Sequence, residues 1–177
     1  MGRVRTTREL TTSGAALAED VALAALLGGN LFGRVAMHPA LVDVSDAAER
    51  GRVLNRAWRR YGTVNSLALA ALVAGWLPER HRRSSARRRP SSPQRRLLIA
   101  KDVAIGAVVL TGLASAAGGV GFAQQAPHGA VPMASGHDPS PDTPARAARI
   151  KRVVNLLGGL NVFAELSLAA VNALTRA

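Results

Sequence analysis

Four long apolar stretches alternate with polar, arginine-rich segments along the 177 residues of the chain. The first stretch runs from about Ala15 to Met37, and we expect its helix to end there because Pro39 cannot donate a backbone hydrogen bond. The other three stretches cover residues 61–78, 97–122 and 150–174. Each is close to or longer than the about 20 residues that an α-helix needs to cross a bilayer. The pattern therefore predicts an all-α integral membrane protein of four helices.

The polar segments between these stretches predict three kinds of connection. Residues 43–60 are polar and basic, and we expect them to form a helix along the membrane surface with Asp46 as its N-cap. Residues 79–96 contain eight Arg together with Ser and Pro, a composition that favours a flexible linker. Residues 124–144 contain five Pro and predict an extended loop.

A sequence repeat relates the first stretch to the third. Residues 17–23 read LAEDVAL and residues 99–105 read IAKDVAI, so that Asp20 corresponds to Asp102. A second correspondence, at a different offset, aligns Arg50, Arg56, Gly62 and Asn65 with Arg146, Arg152, Gly158 and Asn161. The repeat predicts a four-helix bundle made of two parallel two-helix repeats related by a pseudo-two-fold axis along the bilayer normal. The repeats and their linker are residues 1–78, 79–96 and 97–177.

The composition indicates how such helices would pack. Aromatic residues make up 3% of the chain, whereas 17 residues are Gly. Helices with few bulky side chains approach one another through small residues, and Gly29 and Gly33 form a GxxxG motif of this kind. The chain contains no Cys, which excludes disulfides, thiolate catalysis and cysteine metal sites.

The formal net charge of +12 comes from basic residues that flank the apolar stretches. We interpret this charge as contact with anionic lipid headgroups, above all at the Arg-rich linker, and not as a nucleic-acid surface. Thirteen Lys and Arg fall on the side of the termini and the linker, and ten fall on the opposite side. The positive-inside rule then predicts a multi-pass plasma-membrane protein with both termini in the cytoplasm.

The beginning of the chain also permits a second interpretation. Its basic residues and the apolar residues 21–33 match the layout of a cleaved signal peptide. Glu19 and Asp20 interrupt that layout, and the repeat makes the segment the counterpart of the third stretch. We therefore expect the first helix to be retained.

Glu165 lies near the middle of the fourth stretch, where an ionised side chain is costly unless it is paired or protonated. Asn161 lies one turn earlier on the same face, and Asn30 and Arg34 on the first helix have the same spacing. Helices one and four run antiparallel, so Asn30 is expected near the depth of Glu165 and Arg34 near that of Asn161. The sequence thus predicts an intramembrane polar cluster of Asn30, Arg34, Asn161 and Glu165.

Two interpretations of this cluster stay open. In the functional one, Glu165 is a proton carrier or a substrate-binding carboxylate, as in proton-coupled transporters. In the structural one, Glu165 and Arg34 form an ion pair that joins the first helix to the fourth. Because spacing identifies no second catalytic group, the structural interpretation is favoured.

The secondary candidates are Asp20, Asp102 and His38. A symmetric pair of Asp20 and Asp102 would bind a cation or share a proton, whereas single carboxylates at helix starts would only complement the helix dipoles. Glu19 corresponds to Lys101 in the repeat, which predicts a salt bridge between the repeats. His38 falls on the predicted outer side with other His and Asp residues, but their spacing matches no compact metal motif. No metal or other cofactor is expected.

One part of the chain resembles a known family. Residues 27–41 read LGGNLFGRVAMHPAL, a Gly-rich helix that ends in His38-Pro39-Ala40-Leu41, and a polar basic segment with Trp58 then leads into the second stretch. This arrangement resembles the first half of the small four-helix membrane proteins of the anthrone-oxygenase-like family. The resemblance implies a four-helix bundle with a lipid-accessible cavity and cofactor-free oxidation of a polyketide-like aromatic.

Three functions follow from these patterns as hypotheses. The polar cluster favours a small binding or transport module, working alone or as a homo-oligomer. The resemblance favours a membrane oxidoreductase acting on a hydrophobic aromatic. The third hypothesis is a structural assembly protein of the membrane. Sequence signatures of hydrolases and of phosphate-binding loops are missing from the chain.

Overall fold

The computed structural model describes residues 7–85 and 91–176. Four long helices contain most of these residues: α1 (Thr7–Phe32), α2 (Ala47–Ser84), α3 (Ser92–Ala123) and α4 (Ala145–Arg176). Within the two described ranges no β-strand is formed. The all-α prediction is confirmed.

Consecutive helices run antiparallel and lie side by side. Near one end of the α1–α2 pair Gly33 lies against Trp58, and near the other end Gly75 lies against Glu19. The closest packing joins α1 to α2 and α3 to α4, and additional contacts join α1 to α4 and α2 to α3. Each helix therefore packs against two others, which brings side chains from different helices together along a common interior.

The interior contains one apolar core to which all four helices contribute. Its fully buried members include Leu26, Leu72, Ile105 and Leu168, one from each helix. A second, smaller apolar cluster lies near the start of α4 and includes Leu54, Phe122, Val131 and Met133. Large apolar side chains also cover the outside of the helices, where Leu67, Leu110 and Phe163 are 67%, 70% and 71% exposed.

Three helical segments are long and apolar enough to cross a membrane: Gly14–Asp43, Ser92–Ala123 and Ala145–Thr175. Helix α2 is not among them. Length and composition are therefore consistent with a membrane protein that crosses the bilayer through at least these three helices.

The end of the first helix differs from the prediction. The helical backbone does not end at Met37 but continues through a π-helical turn (Gly33–Met37), a short α-helical segment (His38–Ala40) and a 3-10 turn (Leu41–Asp43). The wider π turn lets the His38 amide donate to the Gly33 carbonyl, and Pro39 then lies at the start of the next turn. The first residues of a helical turn have no backbone acceptor for their N–H groups, so a proline there, which has no N–H, breaks no hydrogen bond. The helix therefore passes the proline.

The predicted surface helix over residues 43–60 is not a separate element. Asp46 does cap a helix, accepting a 2.6 Å hydrogen bond from the Glu49 amide, so the N-cap prediction is confirmed. That helix, however, runs without a break through residues 61–78 to Ser84.

The linker predicted over residues 79–96 is helical at both ends, because α2 continues to Ser84 and α3 begins at Ser92. The central part of this linker, residues 86–90, lies outside the described residues.

Residues 124–144, which we call the capping loop, are not an extended loop. A 3-10 turn (Pro127–Gly129) is followed by backbone that returns over the end of the helices, and Val131 and Met133 become fully buried there. Arg50 of α2 donates to the carbonyl groups of Met133 and Ala134, at 2.8 and 3.0 Å. The segment differs from the predicted extended loop because two apolar side chains pack into the second cluster and α2 supplies donors for the loop carbonyls.

Candidate functional site

Glu165 lies at the centre of a layer of polar side chains in the interior. It is 0% exposed, and its Oε1 atom accepts one hydrogen bond from Asn30 Nδ2 and one from Asn161 Nδ2, each 2.7 Å long. Its Oε2 atom is buried as well and has no hydrogen-bond partner among the described residues. One carboxyl oxygen is thus doubly satisfied, while the other is free to hold a proton or to accept from a ligand.

Helix α3 completes this layer through Thr111. The Thr111 hydroxyl lies 2.6 Å from Asn161 Oδ1 and 2.6 Å from the Ala107 carbonyl, and its single proton can serve one of them at a time. Asn161 is therefore oriented on both sides, by Thr111 at its oxygen and by Glu165 at its nitrogen. Asn30, Thr111, Asn161 and Glu165 together form what we call the central polar layer, which joins α1, α3 and α4.

Arg34 does not belong to this layer. Its Nη2 atom donates a 2.9 Å hydrogen bond to the Asn155 carbonyl and lies next to Gly158, where a Cβ atom would come within 2.9 Å of it. The structure thus brings Asn30, Asn161 and Glu165 together as predicted, but the predicted Arg34–Glu165 ion pair is not formed. The four-residue spacing assumes an α-helix, whereas the π turn that begins at Gly33 displaces Arg34 along α4.

A second polar group, the ionic layer, lies near the opposite end of the apolar core. Lys101 Nζ is 2.9 Å from Glu19 Oε1 and 3.0 Å from Glu79 Oε2, and Asn172 Nδ2 donates to Glu19 Oε1 at 3.1 Å. Glu19 and Lys101 are both buried. The predicted salt bridge between Glu19 and Lys101 is confirmed.

Asp102 is engaged by α2. Its Oδ1 atom accepts from Trp76 Nε1 at 2.7 Å and from Arg83 Nη2 at 3.2 Å, and its Oδ2 atom lies 3.2 Å from Arg80 Nη1. Asp20 has interactions of its own. Three side chains of α2 thus contact Asp102, and the Asp20–Asp102 pair that the repeat suggested stays a prediction.

His38 takes part in a chain of hydrogen bonds below the capping loop. Trp58 Nε1 donates to His38 Nε2 at 3.1 Å, so we assign the proton of His38 to Nδ1, which lies 3.2 Å from His137 Nε2. Burial, followed by the positive charges of Lys151 and Arg34, lowers the pKa of His137 below its ordinary value. Within the described residues no group of three or more His, Asp or Glu could hold a metal ion.

Several members of these layers were not predicted. Nothing in the local sequence marks Thr111 as a partner of Asn161, because one hydroxyl in an apolar helix most often bonds to its own backbone. Asn172 lies seven residues beyond Glu165 on the same face, a spacing that was a usable signal. The contact between His38 and His137 depends on the path of the capping loop, which spacing does not reveal.

No protein-family model, curated protein or solved structure matches this chain.

Proposed function

We propose that the chain is a multi-pass protein of the plasma membrane whose four helices form one bundle, with both termini in the cytoplasm. The distribution of polarity supports this: charged side chains such as Glu19 and Lys101 are buried, while large apolar side chains cover the outer faces. In water such an outer surface would promote aggregation, whereas in a bilayer it contacts lipid. Arg-rich helix ends near Ser84 and Ser92 would contact anionic headgroups.

Helix α2 crosses the membrane with the others in this proposal. Its buried residues Leu69 and Leu72 belong to the same core as Leu26 and Ile105, so α2 lies at the depth of the three more apolar helices. Its outward-facing Leu67 and Leu77 are exposed and apolar. Four crossings place the two termini on the same side of the membrane.

Within this bundle, we propose that the central polar layer is the site of a small binding or transport module. The observation that supports this most directly is Glu165 Oε2, a buried carboxyl oxygen without a hydrogen-bond partner among the described residues. Buried polar atoms are nearly always paired, and an intramembrane carboxyl group most often marks a pathway for protons or substrate. The function we propose for Glu165 is to bind a proton or a cationic or hydrogen-bond-donating ligand through Oε2.

The alternative of a purely structural cluster has lost its main support. It required Arg34 as the counter-charge of Glu165, and Arg34 instead binds the Asn155 carbonyl.

A comparison of wild type with Glu165→Gln and Glu49→Gln tests the proposal. Glu49 supplies the matched control because it is an exposed carboxylate that undergoes the same chemical change. Each protein is purified with native lipids, and two quantities are measured: the small molecules retained, by mass spectrometry, and proton uptake after a pH step. We expect Glu165→Gln to fold and to lose either the retained compound or part of the proton uptake, with Glu49→Gln unchanged. A folded Glu165→Gln protein that equals wild type in both measurements would refute the proposal.

A second candidate is the membrane oxidoreductase of the anthrone-oxygenase-like type, and one observation favours it. An apolar groove of about 470 Å³ lies between α2 and α3, lined by Ser66, Leu69, Ala70, Val73, Ala74, Val109 and Leu113. This volume is in the range of small-ligand pockets. Gly112 joins the groove to the central polar layer, because a Cβ atom there would lie 3.4 Å from Leu69 and 3.7 Å from Asn161. Retention of an aromatic compound would favour the oxidoreductase, and retention of a metabolite or ion would favour the binding or transport module. Retention of lipids alone would favour a structural assembly protein.

A further inference from the structure

Lys151 is a buried cation without a counter-charge. It is only 4% exposed, and within the described residues its ammonium group forms no hydrogen bond and no salt bridge. Its Nζ atom makes a cation–π contact with Phe122, whose ring centroid lies 5.7 Å away. Lysines are almost never buried to this degree unless they are paired. The site therefore lacks an anion.

Arg34 adds a second positive charge to the same place. Lys151 precedes Asn155 by one turn of α4, and Arg34 Nη2 binds the Asn155 carbonyl. Both cations also act on His137, whose backbone carbonyl accepts from Asn155 Nδ2 at 2.8 Å. Arg34 and His137 thus contact Asn155 beneath the capping loop, and Lys151 lies one turn earlier on α4.

The acidic residues in reach do not neutralise this group. Asp138 acts on Lys151 through its charge, but its Oδ2 atom accepts from Ser135 Oγ at 2.8 Å, and among the described residues it forms no salt bridge with Arg34 or Lys151. The ionic layer at the other end of the bundle differs, because there Lys101 lies within 3.0 Å of two carboxylates. The same fold thus compensates one buried lysine and leaves the other uncompensated.

We propose that Arg34 and Lys151 form an anion site that binds the phosphate group of a ligand beneath the capping loop. A guanidinium group offers a planar fork of donors and an ammonium group a point charge, a combination that suits phosphate oxygens. The phosphate belongs either to a soluble phosphate ester or to a phospholipid headgroup, since the site lies near the ends of two candidate membrane spans. This site is separate from Glu165 and does not depend on the function proposed for it.

Thermal unfolding of the purified full chain in neutral detergent tests this site, with inorganic phosphate as the probe and chloride at matched ionic strength as the reference. The variants are Lys151→Gln and its matched control Arg152→Gln, an exposed cation at the next position. We expect phosphate to raise the Tm of wild type and Arg152→Gln saturably, by roughly 5–10 °C at about a hundredfold excess over Kd. Lys151→Gln should show no such rise, and without phosphate its Tm should equal or exceed that of wild type because a buried unpaired charge has been removed.

Two outcomes would overturn the proposal: a wild-type Tm that phosphate raises no more than chloride does, or a Lys151→Gln protein that responds like wild type. Arg34→Gln provides a second variant if Lys151→Gln does not fold, and it too should weaken the response. Micelles containing short-chain phosphatidic acid, compared with an uncharged lipid, distinguish the sources. If phosphatidic acid raises Tm more than free phosphate does, the ligand is a lipid headgroup. If the two raise Tm equally, the ligand is a soluble phosphate ester.

Discussion

Replacing Lys101 by Met should destabilise the protein strongly. The Lys101 ammonium group lies 2.9 Å from Glu19 Oε1 and 3.0 Å from Glu79 Oε2, and Met fills a similar volume without the charge. Glu19 would then be buried with the amide of Asn172 as its remaining partner. Removing one member of a buried ion pair costs about 3–5 kcal/mol. In a chain of 177 residues each kcal/mol lowers Tm by about 2–4 °C, so we expect a decrease of about 6–20 °C.

The measurement is thermal unfolding in detergent, followed by tryptophan fluorescence, on Lys101→Met, Glu19→Gln and the double mutant. Because the double mutant removes both charges, it should be less destabilised than Lys101→Met alone. Arg52→Met is the matched control, since it breaks an ion pair with Glu49 in which both side chains are 41% exposed. Exposed pairs contribute about 1 kcal/mol at most, so this control should lose no more than about 4 °C.

The predicted stabilisation by the Lys101 ion pairs would be refuted by a Lys101→Met protein whose Tm lies within about 2 °C of wild type. It would equally be refuted by a double mutant whose loss equals the sum of the two single losses, because additivity indicates that the groups do not interact.

Three further predictions follow from the same structure. Gly51→Ala should lower the free energy of unfolding by about 1–3 kcal/mol, because its Cβ would overlap a carbonyl group of the capping loop. Gly62→Ala has open space around it and should raise the free energy of unfolding by about 0.5–1 kcal/mol. Unfolding experiments on the two variants compare the effects. Burial lowers the pKa of His137, so the folded state binds fewer protons than the unfolded state and stability should fall as pH drops below about 6.5; His137→Gln should make Tm less dependent on pH between about pH 7.5 and 5, and an unchanged slope would contradict this. Single cysteines at Ser85 and Asp142, labelled from outside intact cells, test the topology. We expect labelling at position 142 alone. Labelling at 85 alone would show the opposite orientation, and labelling at both positions would exclude four spans.

Local periodicity was sufficient to predict three of the four residues of the central polar layer, and it missed Thr111. Asn161 and Glu165 are four residues apart, which places both on one face of any α-helix, and antiparallel packing brings Asn30 to the same depth. These inferences need nothing beyond regular helix geometry and direction. Arg34 was misplaced because the backbone leaves α-helical geometry at Gly33, and no residue type in that segment specifies a π turn.

The capping loop could not be predicted for a different reason. Five prolines indicate that regular secondary structure is absent, but not that order is absent. Order depends on the burial of Val131 and Met133 and on donors from Arg50 and Asn55, which bind loop carbonyls from α2. These contacts exist because α2 is continuous from Ala47, a long-range condition that no local pattern contains.

The buried polar groups of this interior differ in how far their charges are paired. In the ionic layer the ammonium of Lys101 meets two carboxylates, although Asn172 Oδ1 in the same layer has no hydrogen-bond partner among the described residues. In the central layer Glu165 Oε2 is buried without a hydrogen-bond partner among the described residues. Near the capping loop the ammonium group of Lys151 lies over the Phe122 ring and forms no salt bridge among those residues. An unpaired buried group lowers stability, and such a cost persists in a protein mainly where binding or chemistry requires it. On the two proposals made above, Glu165 would bind a donor or cation and Lys151 with Arg34 an anion, so the two sites would take ligand groups of opposite kind.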